Sequence, residues 1–124
     1  MADNKIKIMI VEDEGIIAMD MKSKLTELGY EVTAIASSYG EALIKVETNK
    51  PHLLLMDVYI QGAINGIETA MYLKQTYEIP SIFVTAYNDK VTIEKILKIN
   101  ALGILQKPFD DTEFEKIMIN FSSR

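Results

Sequence analysis

Among its 124 residues the chain has no cysteine, no tryptophan, three prolines and a single histidine, His52. Without thiols there is no disulfide scaffold, no cysteine-ligated zinc and no thiol nucleophile. One histidine excludes a multi-histidine metal centre and makes any serine–histidine–aspartate triad depend on His52. An excess of positive charge is missing as well. Thirteen Lys and Arg stand against eighteen Asp and Glu, for a net charge of −5. A surface that binds nucleic acid needs the opposite sign, so direct contact with DNA or RNA is not expected. No apolar run approaches the ~18 residues of a membrane span. Residues 1–5 also lack the basic-then-apolar build of a signal peptide. The expectation is a cytoplasmic protein with no membrane insertion.

What is present is ordinary for a globular domain: 48% hydrophobic and 25% charged residues. The length suits one domain, spanning 1–124. Two kinds of segment alternate. Short runs rich in Ile, Val and Leu at 5–11, 31–36, 53–57, 81–84 and 103–105 read as strands, and their near-continuous hydrophobicity suits a sheet covered on both faces. Between them lie helix-like stretches at 14–28, 38–49, 66–79, 89–100 and 110–121. Their expected inward residues are Ile17, Met21, Leu25 and Leu28; Leu43 and Val46; Ile67, Ala70, Met71 and Tyr77; Ile93, Ile96 and Leu97; and Phe114, Ile117, Met118 and Phe121. Gly29 supplies a stop after the first helix.

Strict alternation predicts an α/β fold, a doubly wound five-stranded parallel sheet with right-handed crossovers. Five strands of this kind adopt the order 2-1-3-4-5, known from existing folds, and ligands bind outside the carboxyl ends of the strands near the switch point. Four of the five strands deliver a chemically capable side chain to that edge. Glu12, Asp13 and Glu14 follow strand 1, Asp57 closes strand 3, Thr85 follows strand 4 and Lys107 follows strand 5. Neighbouring strands lie about 4.8 Å apart, which puts Lys107 about 10 Å from Asp57, a gap its stem can close. Glu12, Asp13 and Asp57 bring three negative charges against one on Lys107. Such a site repels itself unless it protonates or binds a cation, and hard carboxylates favour Mg²⁺ or Mn²⁺. Each residue alone has a plainer reading: Asp13 or Glu14 as a helix cap, Asp57 as a turn residue, Lys107 as a solvated lysine and Thr85 as a strand end. One phosphate-and-magnesium site explains all of them together. His52, at the opposite edge, reads as structural, and Ser37-Ser38 as a helix cap.

In this order and at these strand ends, Glu12-Asp13, Asp57, Thr85-Ala86 and Lys107-Pro108-Phe109 resemble the receiver domain of two-component response regulators, over essentially the whole chain. The resemblance implies a flavodoxin-like (βα)5 fold and a signalling switch rather than an enzyme. Asp57 would accept a phosphoryl group from a sensor histidine kinase or a phosphotransfer protein. Asp13 and Glu12 would hold Mg²⁺ or Mn²⁺ together with Asp57 and the backbone carbonyl of Tyr59. Lys107 would pair with the phosphoryl oxygens, Thr85 would hydrogen-bond them, and the Lys107–Pro108 peptide would be cis. A downstream protein would read the face made by helix 4, strand 5 and helix 5, since no output domain follows. The chain would otherwise be a phosphorelay intermediate or a piece of a longer protein.

Two departures from the family pattern stand out. Gln61 takes the place of a usual proline, and Gly66 follows Asp57 by nine residues instead of eight, which lengthens the loop and adds Gly62. Ile104 replaces the aromatic residue that usually moves with the threonine, so switching through Thr85 and Ile104 takes a smaller form or runs through loop 4 and helix 4. Tyr59 and Tyr87, two positions after Asp57 and Thr85, would screen a phosphoryl group from water and slow its loss, unless both rings face solvent or pack on helices.

Three other readings compete. An aspartyl-nucleophile phosphatase of the haloacid-dehalogenase type expects an aspartate where Tyr59 stands. A flavin or nucleotide binder needs a phosphate loop where three carboxylates follow strand 1. A pseudo-receiver that never takes phosphate would not need the intact set.

Overall fold

The structure, a computed structural model, describes residues 5–86 and 88–123. It shows the expected alternation: β1 (Lys7–Val11), α1 (Gly15–Glu27), β2 (Glu31–Ala36), α2 (Tyr39–Thr48), β3 (Leu53–Met56), α3 (Gly66–Tyr77), β4 (Ser81–Thr85), α4 (Lys90–Lys98), β5 (Gly103–Gln106) and α5 (Asp111–Ser122). The strands form one parallel sheet in the order β2-β1-β3-β4-β5. β2 is laid down on one side of β1 and β3 to β5 on the other, which places the switch point at the ends of β1 and β3.

Alternation along each strand sorts the core into two layers. Ile8, Ile10, Leu53, Leu55, Ile82, Val84 and Leu105 pack with Ala18, Met21 and Leu25 of α1 and with Phe114 and Met118 of α5. Met9, Val11, Leu54, Met56 and Phe83 pack on the other face with Ala42 and Val46 of α2, Ala70 and Leu73 of α3, and Ile96 of α4. Every residue of β3 and β4 is buried, as a central strand covered on both sides requires, whereas edge strand β2 is mostly half-buried.

Four of the five helices open on a side-chain cap. The Ser38 hydroxyl, the Asn65 carbonyl and the carboxylates of Asp89 and Asp110 each accept from a first-turn N–H, and Asn65 and Asp110 form full capping boxes. Only α1 starts without one: its N-cap, Glu14, makes no side-chain cap hydrogen bond. The expected capping role of Asp13 or Glu14 is therefore not found for Glu14, and the site explains why.

Three expected inward residues face solvent instead. Leu28, Met71 and Leu97 are exposed, while Ala18, Leu73 and Thr92 take buried positions on the same helices. The physical reason is stripe width. Each helix turns only a narrow face to the sheet, and Leu28, Met71 and Leu97 stand outside it. His52 is structural, as its position suggests. Its Nδ1 accepts from the Lys7 N–H at 2.8 Å and its own N–H donates to the Lys7 carbonyl at 2.7 Å, tying β3 to β1 at the end away from Asp57.

Candidate functional site

The ladder continues one residue past three strand ends. Glu12 N–H donates to the Ala36 carbonyl at 2.8 Å, Asp57 N–H to the Val11 carbonyl at 3.0 Å and Lys107 N–H to the Thr85 carbonyl at 2.9 Å. These three side chains therefore start from fixed backbone. They share the strand parity of the layer that packs against α1 and α5, so they leave the sheet on one side. Thr85 and Ile104 have the opposite parity. Ile104 is paired with Phe83 across the sheet and packs in the layer that also holds Ile96 of α4.

The side chains converge. Lys107 Nζ donates to Glu12 Oε1 at 2.7 Å and to Asp57 Oδ2 at 3.2 Å, and lies 3.7 Å from Glu14 Oε1. The other oxygen of Glu12 accepts from the Glu14 N–H at 3.1 Å. Glu12 thus binds the first free N–H of the turn into α1, while the Glu14 carboxylate is turned toward Lys107 and away from the first-turn N–H groups it would cap. Asp57 Oδ1 accepts from the Val58 N–H at 2.7 Å. Glu12, Asp57 and Thr85 are buried, Lys107 is half-buried, and Asp13 opens to solvent. Glu12, Asp13 and Asp57 each present a carboxylate oxygen within 4.8 Å of the others.

Burial pushes the Glu12 carboxyl above its ordinary pKa, and the charge of Asp57 adds to this against the hydrogen bonds from Lys107 and Glu14. Burial also works against the Lys107 ammonium, but the Glu12 and Asp57 carboxylates outweigh it and hold Lys107 above the usual lysine value. The lysine stays charged and the carboxylates stay crowded. An oxygen-only set with surplus negative charge fits a hard divalent cation such as Mg²⁺ or Mn²⁺.

The loop after β3 is pinned from both ends. Gln61 N–H donates to the Ser37 carbonyl at 3.0 Å and pairs with Ser38 in a short bridge. Gly62 adopts φ +96°, which explains a glycine in the lengthened loop. At its far end Gly66 packs so close to Asp57 that a Cβ there would collide with the Asp57 carbonyl oxygen. Tyr59 is about half-exposed, and Tyr87 lies outside the described residues. The Lys107–Pro108 peptide is cis.

The family model for the response regulator receiver domain matches residues 8–119. The chain belongs to the response regulator receiver domain family. This receiver domain is 37% identical over 90 residues to the phyllosphere-induced regulator PhyR of Methylorubrum extorquens, covering 72% of this chain and 34% of that protein. It is 33% identical over 103 residues to the transcriptional regulatory protein PdtaR of Mycobacterium tuberculosis, covering 83% of this chain and half of that protein. The chain spans between about a third and about half of the length of these relatives. Among solved structures, it resembles a CheY-like response regulator receiver domain protein from Methanospirillum hungatei (TM-score 0.83, 28% identity, 97% of this chain and 96% of that one). It also resembles the signal receiver domain of a modulated diguanylate cyclase from Desulfovibrio desulfuricans (TM-score 0.85, 28% identity, 94% and 93%). Among the described residues, no helix is long and apolar enough to cross a membrane.

Two features of the site were not assigned by sequence. Glu14 stands within ion-pair distance of Lys107, and Gly66 seats the loop against Asp57. Glu14 carried a visible signal, as the third acid in the run after β1. Gly66 carried only its spacing from Asp57.

Proposed function

We propose that this receiver domain is a phosphoryl-accepting switch in which Asp57 takes a phosphoryl group from the phosphohistidine of a sensor histidine kinase or a phosphotransfer protein. The observation that supports it most is the grouping around Asp57: Lys107 Nζ at 3.2 Å, with the Glu12 and Asp13 carboxylates in the same 4.8 Å cluster. Asp57 Oδ2 forms the new O–P bond while the P–N bond of the donor breaks, and the imidazole nitrogen keeps that electron pair. Lys107 neutralises charge on the incoming oxygens, and its contacts to Glu12 and Asp57 hold it ready in place. Glu12, Asp13, Asp57 and the backbone carbonyl of Tyr59 would hold Mg²⁺ or Mn²⁺, which when bound supplies further neutralisation of phosphoryl oxygens. The Val58 N–H orients the Asp57 carboxylate from the opposite oxygen.

Thr85 would then hydrogen-bond the phosphoryl group, and its strand neighbour on the same face, Phe83, sits beside Ile104 in the layer under α4. A partner protein would read the face of α4, β5 and α5, where Leu97 and Ile119 stand exposed. The test is intact mass after incubation with Mg²⁺ and acetyl phosphate. Wild type gains one phosphoryl group and Asp57→Asn gains none. Equal labelling of the two proteins removes Asp57 from the role.

A further inference from the structure

Among the described residues, three carboxylates reach Lys107, and they differ in kind. The side chains of Glu12 and Asp57 are 0% and 9% exposed, whereas that of Glu14 is 64% exposed. Glu14 lies outside the group of carboxylates close enough to share a cation, which comprises Glu12, Asp13 and Asp57. Its side chain makes no cap for α1. Among the described residues, Lys107 is the one cation paired with it. If Lys107 turns to incoming phosphoryl oxygens and a divalent ion offsets the other three acids, the Glu14 carboxylate is left without compensation on the solvent side of the lysine.

We propose that Glu14 is a charge filter at the mouth of the acceptor site, slowing phosphoryl transfer from small doubly charged donors far more than from singly charged ones. The inference rests on the reading of Asp57 as the acceptor. Its physical basis is range. The 3.7 Å between Glu14 Oε1 and Lys107 Nζ is well inside the Debye length of about 8 Å at physiological salt. A donor whose phosphorus approaches Asp57 while its oxygens approach Lys107 must enter the field of Glu14. Repulsion grows with the donor's charge, and Glu14 competes with the same oxygens for Lys107. A protein donor presents its phosphohistidine within a large, separately charged surface, so the filter favours it over free metabolite-sized phosphoanhydrides. Glu14 acts as a positioning and selectivity residue and takes no part in bond making.

The test uses the full chain with Mg²⁺ and two donors, following intact mass over time. Acetyl phosphate is doubly charged at neutral pH: the Asp57 O–P bond forms, the P–O bond to acetate breaks, and acetate leaves with the electron pair. Phosphoramidate carries one net negative charge: its P–N bond breaks and ammonia leaves on the already protonated nitrogen. At low ionic strength Glu14→Gln takes phosphoryl from acetyl phosphate about three- to fivefold faster than wild type, the range an exposed charge pair supports. The gain with phosphoramidate is smaller, and added KCl erodes the acetyl phosphate gain as screening shortens. Glu14→Asp, which keeps the charge, behaves like wild type. Equal gains for both donors, a gain indifferent to salt, or no gain at all overturns the filter while leaving Asp57 as acceptor. Failure of wild type to take phosphoryl from either donor overturns the acceptor reading and the filter with it.

Discussion

Gly66 is pressed against the backbone of Asp57: its N–H donates to the Val58 carbonyl at 2.6 Å, and any Cβ it carried would run into the Asp57 carbonyl oxygen. The neighbour is backbone rather than a flexible side-chain tip, so it cannot swing away. Gly66→Ala should lower stability by about 1–3 kcal/mol, the range for forced overpacking, and should also reduce labelling of Asp57 by shifting its backbone. Gly40, in the first turn of α2 with nothing near its missing Cβ, is the contrast. Gly40→Ala should stabilise by about 0.5–1 kcal/mol. Urea midpoints of the two variants check both signs.

Crowded carboxylates make the acid cluster unfavourable until a cation shares it. Asp13 is its exposed member. Asp13→Asn should therefore raise the melting temperature in EDTA, because one of the repelling charges is gone. The same variant should lose the stabilisation that Mg²⁺ gives wild type, about 2.7 kcal/mol at a concentration one hundred times Kd. Thermal melts with EDTA and with Mg²⁺ separate the two effects. A variant that melts lower in EDTA and keeps its response to Mg²⁺ contradicts the assignment.

Lys107 holds the buried Glu12 carboxylate at 2.7 Å. Removing it leaves that charge uncompensated, and breaking such a pair destabilises by about 3 kcal/mol when it is well buried. Lys107→Ala should unfold at lower urea than wild type in EDTA. The double variant Lys107→Ala with Glu12→Gln should recover much of the loss, since the orphaned charge is then absent.

Glu41 gives a pH signature away from the acceptor site. Its Oε1 accepts from the N–H and the hydroxyl of Ser37, at 2.9 and 3.0 Å, and the backbone hydrogen bond first, then the hydroxyl, lowers its pKa. A carboxyl whose folded pKa is depressed stabilises the fold above its unfolded pKa, and that contribution disappears as pH falls through the folded value. Stability of wild type relative to Glu41→Gln should therefore decline on the acid side of the ordinary glutamate pKa. Ser37 also holds Gln61, so the protection of the Gln61 amide, its exchange measured against the intrinsic rate at each pH, should fall over the same pH window. Melting curves of the two proteins between neutral and acid pH decide the first point. A constant difference contradicts it.

The fold was legible because strand identity here rests on short continuous apolar runs. The runs at β1, β3 and β4 sit between turn formers, and both faces of these strands are buried. Strand order followed from known folds rather than from residues. The convergence of Glu12, Asp57 and Lys107 was legible for the same reason, since each stands one residue past a strand and the parallel topology brings those ends together. Less legible were the contacts that depend on how closely elements approach. Helix periodicity marked Ile17 and Leu28 and passed over Ala18, though Ala18 is buried and Leu28 is exposed. The role of Gly66 depends on the path of the loop, which its sequence spacing does not define. Glu14 reads as a cap in sequence because nothing there shows that its carboxylate turns to Lys107, far along the chain, at 3.7 Å.

The central claim is that one carboxylate, that of Asp57, becomes an acyl phosphate. Borohydride reduces an aspartyl phosphate to homoserine while leaving free carboxylates untouched, so peptide mass mapping after phosphorylation and reduction reads the acceptor directly. The account predicts homoserine at position 57 and nowhere else, dependent on Mg²⁺. Homoserine at position 13, hydroxynorvaline (the reduction product of a glutamyl phosphate) at position 12 or 14, or no reduced residue after the protein has gained a phosphoryl group, would contradict it.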